Sequence, residues 1–156
     1  MRVVKYKTKL TEDKKAVLEK EVSVNCPEVE RKMNSPENAA RLGRYCLHLH
    51  EETEEYLYMI CLNTKLNMTS VFELSHGNVN SSVVGIREMF QKALLANAVN
   101  IIVMHNHPSG DPTPSREDIE VTKRMKEAGK LLGVDVLDHI IIGDNRYTSL
   151  KEKGYI

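Results

Sequence analysis

His105-Asn106-His107, Ser115 and Asp118 are the residues of this chain whose types and spacing can do chemistry. Imidazoles and carboxylates ligate zinc, and three such protein ligands leave the fourth position of a tetrahedral ion to water, which is the catalytic pattern. Whether the three ligands meet depends on the elements that carry them. Val99-Asn100-Ile101-Ile102-Val103-Met104 is a short, β-branched apolar run, the text of a buried strand. Side chains two apart on a strand share a face, so His105 and His107 converge. Pro108 to Pro114 holds three prolines and one glycine in seven residues and must be a loop. Thr113-Pro114-Ser115 then starts a helix, and Asp118 lies in its first turn, close to where the loop returns to the strand end. Two plainer readings stand beside this one. Ser115-x-x-Asp118 is also a capping box, and a His-x-His pair at a strand end can simply face solvent. The joint occurrence of buried strand, rigid loop and helix-start carboxylate favours a metal site.

The spacing His105-x-His107-Pro108, six residues, Ser115, two residues, Asp118 resembles the metal motif of the JAMM (MPN-plus) metalloprotease superfamily. The wider text His-Asn-His-Pro-Ser-Gly-Asp, with Arg87-Glu88 upstream and Asp138-His139 downstream, is similar to its bacterial RadC branch. The resemblance runs from about Ser35 to Ile156. It implies an α/β (α+β) fold: a mixed β-sheet flanked by helices, a cytidine-deaminase-like JAB/MPN domain. It also implies Zn2+ on His105, His107 and Asp118, with Ser115 stabilising an oxyanion. The general base of the superfamily is a glutamate just before the first long strand of the core sheet. Glu55 is the matching position, with Glu52 and Glu54 as neighbouring alternatives and Glu73 and Glu88 as distant ones. The implied activity is zinc-dependent hydrolysis of a peptide or isopeptide amide bond in a protein substrate, in a family that carries a DNA-repair label. A metal-dependent DNA-processing enzyme and a non-catalytic, zinc-stabilised peptide-binding module are the alternatives.

Composition bounds these readings. The chain has 156 residues, 41% hydrophobic and 28% charged, enough for one globular core. No apolar run is long enough to span a bilayer, and the N-terminus lacks a signal-peptide core, so no membrane partner is expected and the cytoplasm is the expected location. Lys and Arg number 22, as do Asp and Glu, a balance that gives direct nucleic-acid binding no support without a segregated basic face. Cys26, Cys46 and Cys61 are odd in number and lack Cys-x-x-Cys spacing, which predicts buried thiols.

Along the chain, residues 1–34 read as an N-terminal β extension with a polar connector, and 35–156 as the main domain. Val4, Tyr6, Thr8 and Leu10 alternate with Lys5, Lys7 and Lys9, a strand with one basic, solvated face. Ala16 to Val24 forms its hairpin partner. An isolated hairpin is marginal, so this one docks on the body or on another subunit, which makes a homodimer one expected arrangement. Ser35-Pro36-Glu37 opens a helix that runs to about His50 and places the second His-x-His, His48 and His50, at a helix end as structural residues. Tyr56–Leu62 and Met68–Leu74 pair as strands, followed by a loop from Ser75. A helix from Gly85 is expected to bury Met89, Phe90, Ala93, Leu94 and Ala98 on one face. Asn80, Ser81 and Ser82 are candidates to line a cleft, and Arg87 either orients an acidic group or pairs with a neighbouring carboxylate. The helix from Pro114 to Leu132 is expected to bury Ile119, Thr122, Met125 and Ala128 or Leu131 and to stop at Gly133. Asp138-His139 puts two polar groups inside the next strand, to orient a ligand histidine or to bond to each other.

Overall fold

Strand texts that stay apolar on consecutive positions belong in the middle of a sheet covered on both faces. Tyr58 to Leu62 and Ile101 to Met104 are two such runs, and both are buried throughout. The computed structural model describes residues 1–77 and 85–156. In chain order these form β1 (Arg2–Leu10), β2 (Ala16–Asn25), α1 (Pro36–Tyr45), β3 (Glu55–Leu62), β4 (Met68–Gly77), α2 (Ile86–Leu95), β5 (Asn100–Asn106), α3 (Arg116–Leu132), β6 (Asp135–Ile142) and β7 (Tyr147–Ser149). The described strands make one mixed sheet in the order β2-β1-β4-β3-β5-β6-β7. β5 and β6 are parallel and joined through α3, as a parallel pair requires, whereas β3 is antiparallel to both its neighbours.

Alternation along the strands divides the core. Ile60, Leu62, Ile102, Met104, Ile140 and Ile142 pack under α1 on one face, and Met59, Cys61, Val103 and Val136 pack under α2 and α3 on the other. The fold is thus α/β, with helices on both faces of a mixed sheet. α1 starts as its Ser-Pro text predicts, with the Ser35 hydroxyl accepting from the Asn38 N–H. α3 ends at Gly133, whose φ of 70° is the left-handed conformation that stops a helix.

Several expectations need correction. The hairpin docks on the body, β1 lying parallel to β4, and a bulge at Glu21 in β2 shifts the hairpin register between Lys5 and Tyr6. Lys5, where β1 pairs with Val71 of β4, lies against the body and reaches Tyr58 and Glu73, while Lys7 and Lys9 stay outside on Glu19. α1 ends at Tyr45, well before His50; His48, at φ 52°, then starts a short 3-10 turn over Leu49–Glu51. β4 continues to Gly77, where a loop from Ser75 was expected, because β3 extends its pairing back to Glu55. On α3 the buried stripe is Asp118, Val121, Thr122, Met125 and Gly129, and Leu131 is 88% exposed. Cys26 and Cys46 are joined as a disulfide with Cα atoms 5.9 Å apart, in place of two expected thiols, and Cys61 alone is a buried thiol. No helix among the described residues is long and apolar enough to cross a membrane.

Gly129 is where α3 meets the sheet. A Cβ there would overlap the Val134 carbonyl and press on Phe90 Cζ at 3.2 Å, and the backbone oxygen cannot yield as a side chain would. Gly129→Ala is therefore expected to lower the unfolding free energy by about 1–3 kcal/mol, despite alanine's better helix propensity. Equilibrium urea unfolding checks this; an unchanged or raised midpoint contradicts the packing described.

Candidate metal centre

The strand parity decides which groups can meet. His105 pairs with Leu57 across β5 and β3, so His105, His107 and Glu55 project from one face of the sheet, the face covered by α3. The loop after β5 is fastened to the turn after β6: His107 N–H donates to the Ile142 carbonyl at 3.0 Å and Asp144 N–H to the Gly110 carbonyl at 3.1 Å. Gly143 allows this contact, since any Cβ would overlap the Gly110 carbonyl and crowd Pro112 Cδ at 2.7 Å. α3 then begins at Ser115 with Asp118 in its first turn, where a carboxylate is favoured by the helix dipole.

His105 Nε2 and His107 Nε2 lie 3.0 Å apart; Asp118 Oδ1 is 3.3 Å from the first and Oδ2 is 3.5 Å from the second. These three residues form a group able to hold a metal ion, one ligand atom from each within 4.8 Å of the others. The donor set fits an ion because the opposite ring nitrogens are already committed. His107 Nδ1 donates to the Asp111 carbonyl at 2.8 Å, so in the neutral ring its Nε2 carries the lone pair. His105 Nδ1 contacts His139 Nε2 at 2.7 Å. Among the described residues no fourth His, Cys, Asp or Glu joins the group. His105 is buried, whereas the His107 side chain retains 15% exposure, so the group is reached from its side.

Electrostatics agree with the geometry. Burial works to raise the Asp118 pKa, but the His105 and His107 rings beside it and the Ser115 hydroxyl together hold it far below the usual carboxylate range. The Asp118 carboxylate, as hydrogen-bond partner, raises the His107 pKa above its ordinary 6.5 against the effect of burial, and the Asp111 carbonyl and the Glu55 charge add to the rise. Full burial keeps His139 neutral.

Each residue singled out in the sequence has a place. Ser115 is the N-cap of α3: its hydroxyl and its N–H both donate to Asp118 Oδ2 at 2.7 Å, while the Asp118 N–H donates back to the hydroxyl. The capping box and the metal group thus share Asp118. Glu55 is half-buried and acts electrostatically on His107. Glu52, Glu54 and Glu73 act on Tyr56, and Glu52 and Glu73 also on Tyr58, across the opposite face of β3. Glu73 is bound to Tyr58, Lys5 and His76. Glu88 pairs with Arg87 at 3.0 Å, both side chains largely exposed, which is the second of the two uses suggested for that arginine. Asn80, Ser81 and Ser82 lie outside the described residues.

Asp138 and His139 part company. A bulge at Leu137 in β6 sets Asp138 opposite Ile102 and His139 opposite Val103, hence on opposite faces. Asp138 binds Ser149 Oγ, Lys151 N–H and the His139 N–H, a structural knot; only His139 reaches the metal group. Sequence reasoning missed Asn106, which is fully buried. Its amide accepts from the Tyr56 N–H at 2.7 Å and donates to the Glu54 carbonyl at 2.9 Å, gripping the backbone on either side of Glu55. A fully polar residue between two strand-end histidines, pointing into the opposite face, was the available signal.

Comparison with known proteins supplies a family. The model of the RadC-like JAB domain matches residues 33–155. A UPF0758 protein of Methanosarcina barkeri is 47% identical over 129 residues, covering 83% of this chain and 56% of that one. UPF0758 proteins of Clostridium botulinum and Desulforamulus reducens are each 55% identical, over 103 and 108 residues, covering 66% and 69% of this chain and 45% and 48% of theirs. The chain spans about half the length of the curated relatives it matches.

Two outcomes follow from the geometry. Ion binding needs a neutral His107, and its raised pKa means that protons begin to compete above pH 6.5. With Zn2+ as probe in a chelator competition, affinity should fall steadily from about pH 8 to about pH 6; a flat profile contradicts ligation by His107. Asn106→Leu strands a backbone N–H and a carbonyl and should cost about 1–3 kcal/mol in urea unfolding, a result that a neutral substitution would refute.

Proposed function

Because the chain belongs to the RadC-like JAB domain family, we propose that it is a zinc-dependent hydrolase that cleaves a peptide or isopeptide amide bond in a protein substrate. The observation that carries this reading is the meeting of two imidazole Nε2 atoms and one carboxylate, with Glu55 on the same face of the sheet and no fourth protein ligand among the described residues. A zinc ion held by His105, His107 and Asp118 supplies Lewis acidity that polarises a carbonyl and draws the pKa of water toward ~7. His105 and His107 hold their Nε2 lone pairs inward through the bonds at Nδ1.

Glu55 takes the proton of the attacking water on a carboxylate oxygen and delivers it to the nitrogen of the leaving amine. Ser115 stabilises the oxyanion with its hydroxyl. That role is supported by redundancy at Asp118 Oδ2, where the Ser115 N–H can hold the oxygen alone while the hydroxyl proton turns to substrate. Asn106, gripping the chain at Glu54 and Tyr56, keeps the Glu55 backbone in register with the histidines. Nucleic acid is not the proposed substrate. Charge is balanced at 22 against 22, and the lysines of β1 are spent on Glu19, Tyr58 and Glu73.

The test pairs metal content with hydrolysis of a panel of peptide and isopeptide substrates. Glu55→Gln should retain zinc and lose about 10²–10⁴ in turnover, and Ser115→Ala should retain zinc and lose about 10²–10³. Loss of zinc from Glu55→Gln would make it a ligand instead of a base. Zinc-loaded native chain without amide hydrolysis on any member of the panel would remove the hydrolase reading.

A further inference from the structure

His139 is buried to 1% exposure, comes from a different strand, and belongs to no step of the proposed mechanism. Its two ring nitrogens are both used. Nε2 meets His105 Nδ1 at 2.7 Å, and Nδ1 meets Thr122 Oγ1 at 2.6 Å; the Thr122 hydroxyl in turn lies 2.5 Å from the Asp118 carbonyl oxygen, one helical turn back. All of these groups are shut away from water, so each contact must be a donor facing an acceptor.

The direction of the whole chain is set at its far end. A backbone carbonyl only accepts, so the single hydroxyl proton of Thr122 goes to Asp118, the familiar back-bond of a helical threonine. The Thr122 oxygen can then only accept from His139, which puts the proton of that ring on Nδ1 and leaves Nε2 as a lone pair. Facing that lone pair, His105 must carry its proton on Nδ1. Its Nε2 is left bare toward His107 and Asp118. The opposite polarity would give His105 an Nε2–H and bar an ion.

We infer that Thr122 and His139 are positioning residues that fix the metal-ready tautomer and ring orientation of His105, with the α3 backbone at Asp118 as the anchor of the relay. The inference rests on the metal-centre reading proposed above. It couples two ligands, one on β5 and one on α3, through a third element, β6. Partners of this kind on ligand histidines typically carry 10–100-fold in metal affinity. Here the partner is a neutral imidazole in place of the usual carboxylate or carbonyl, so no further charge is buried at the site.

The test uses the full chain, with Zn2+ affinity from chelator competition, long-range 1H–15N spectra of the histidine rings, and thermal unfolding of each variant. In the native chain both His105 and His139 should appear as Nδ1–H tautomers. His139→Leu should weaken zinc about 10–100-fold, and His139→Gln, which returns an amide oxygen to the place of Nε2, should recover most of the loss. Thr122→Val should shift the tautomers and weaken zinc, while Thr122→Ser keeps both. If His139→Leu fails to fold, the Thr122 pair and the native spectrum decide. An Nε2–H His105 in the native chain, or folded His139→Leu with native affinity, overturns the relay. Native tautomers as stated in a chain that binds no zinc would overturn the hydrolase reading and leave the relay standing.

Discussion

Asp118 is asked to satisfy two structures at once. One of its oxygens closes the first turn of α3 by accepting from the Ser115 backbone and hydroxyl; between them its two oxygens face both imidazoles. A carboxylate at 8% exposure is costly unless it is surrounded by donors. Here the helix cap provides them at one oxygen, and a bound ion would satisfy the rest of the carboxylate. The helix cannot start elsewhere without unpairing the site, and the site cannot loosen without uncapping the helix. This shared carboxylate is what ties the loop, the helix and the sheet into one geometry.

The sheet does the rest by parity. Antiparallel pairing of β3 with β5 brings Glu55 to the face of His105 and His107 and sends Tyr56 and Tyr58 to the other, where Glu73 and Lys5 attend them. Parallel pairing of β5 with β6, with α3 as crossover, returns the chain beside the histidines and delivers His139 behind them. One extra residue in β6 decides which of two adjacent polar side chains arrives there. Asn106 faces away from the ligands on either side of it and secures the neighbouring strand instead.

Much of this was legible in the sequence because the motif is local. His105, His107, Ser115 and Asp118 are separated by a strand end, a proline-rich loop and a helix start, and each has its own residue signature. The hairpin and the main strands are legible for the same reason. What escaped the sequence was set by long-range contact. The buried stripe of α3 begins with an acid and ends with a glycine, so counting apolar residues rotated the helix toward Ile119 and Leu131. The bulge at Leu137 leaves no mark in composition yet sets the faces of Asp138 and His139, and Lys5 turns to the body only because β1 meets β4 there. Cys26 and Cys46 meet only because the connector folds back on the end of α1. Glu55 was singled out by resemblance alone; that it shares the face of the histidines follows from the register of β3 against β5, which no spacing rule supplies.

Anomalous diffraction at the zinc absorption edge, on crystals grown with the metal, addresses the central claim directly. The account predicts a single strong peak within ~2.0–2.2 Å of His105 Nε2, His107 Nε2 and an Asp118 carboxylate oxygen, with no other protein atom bound. A peak elsewhere, or an ion enclosed by a fourth protein ligand, would contradict it.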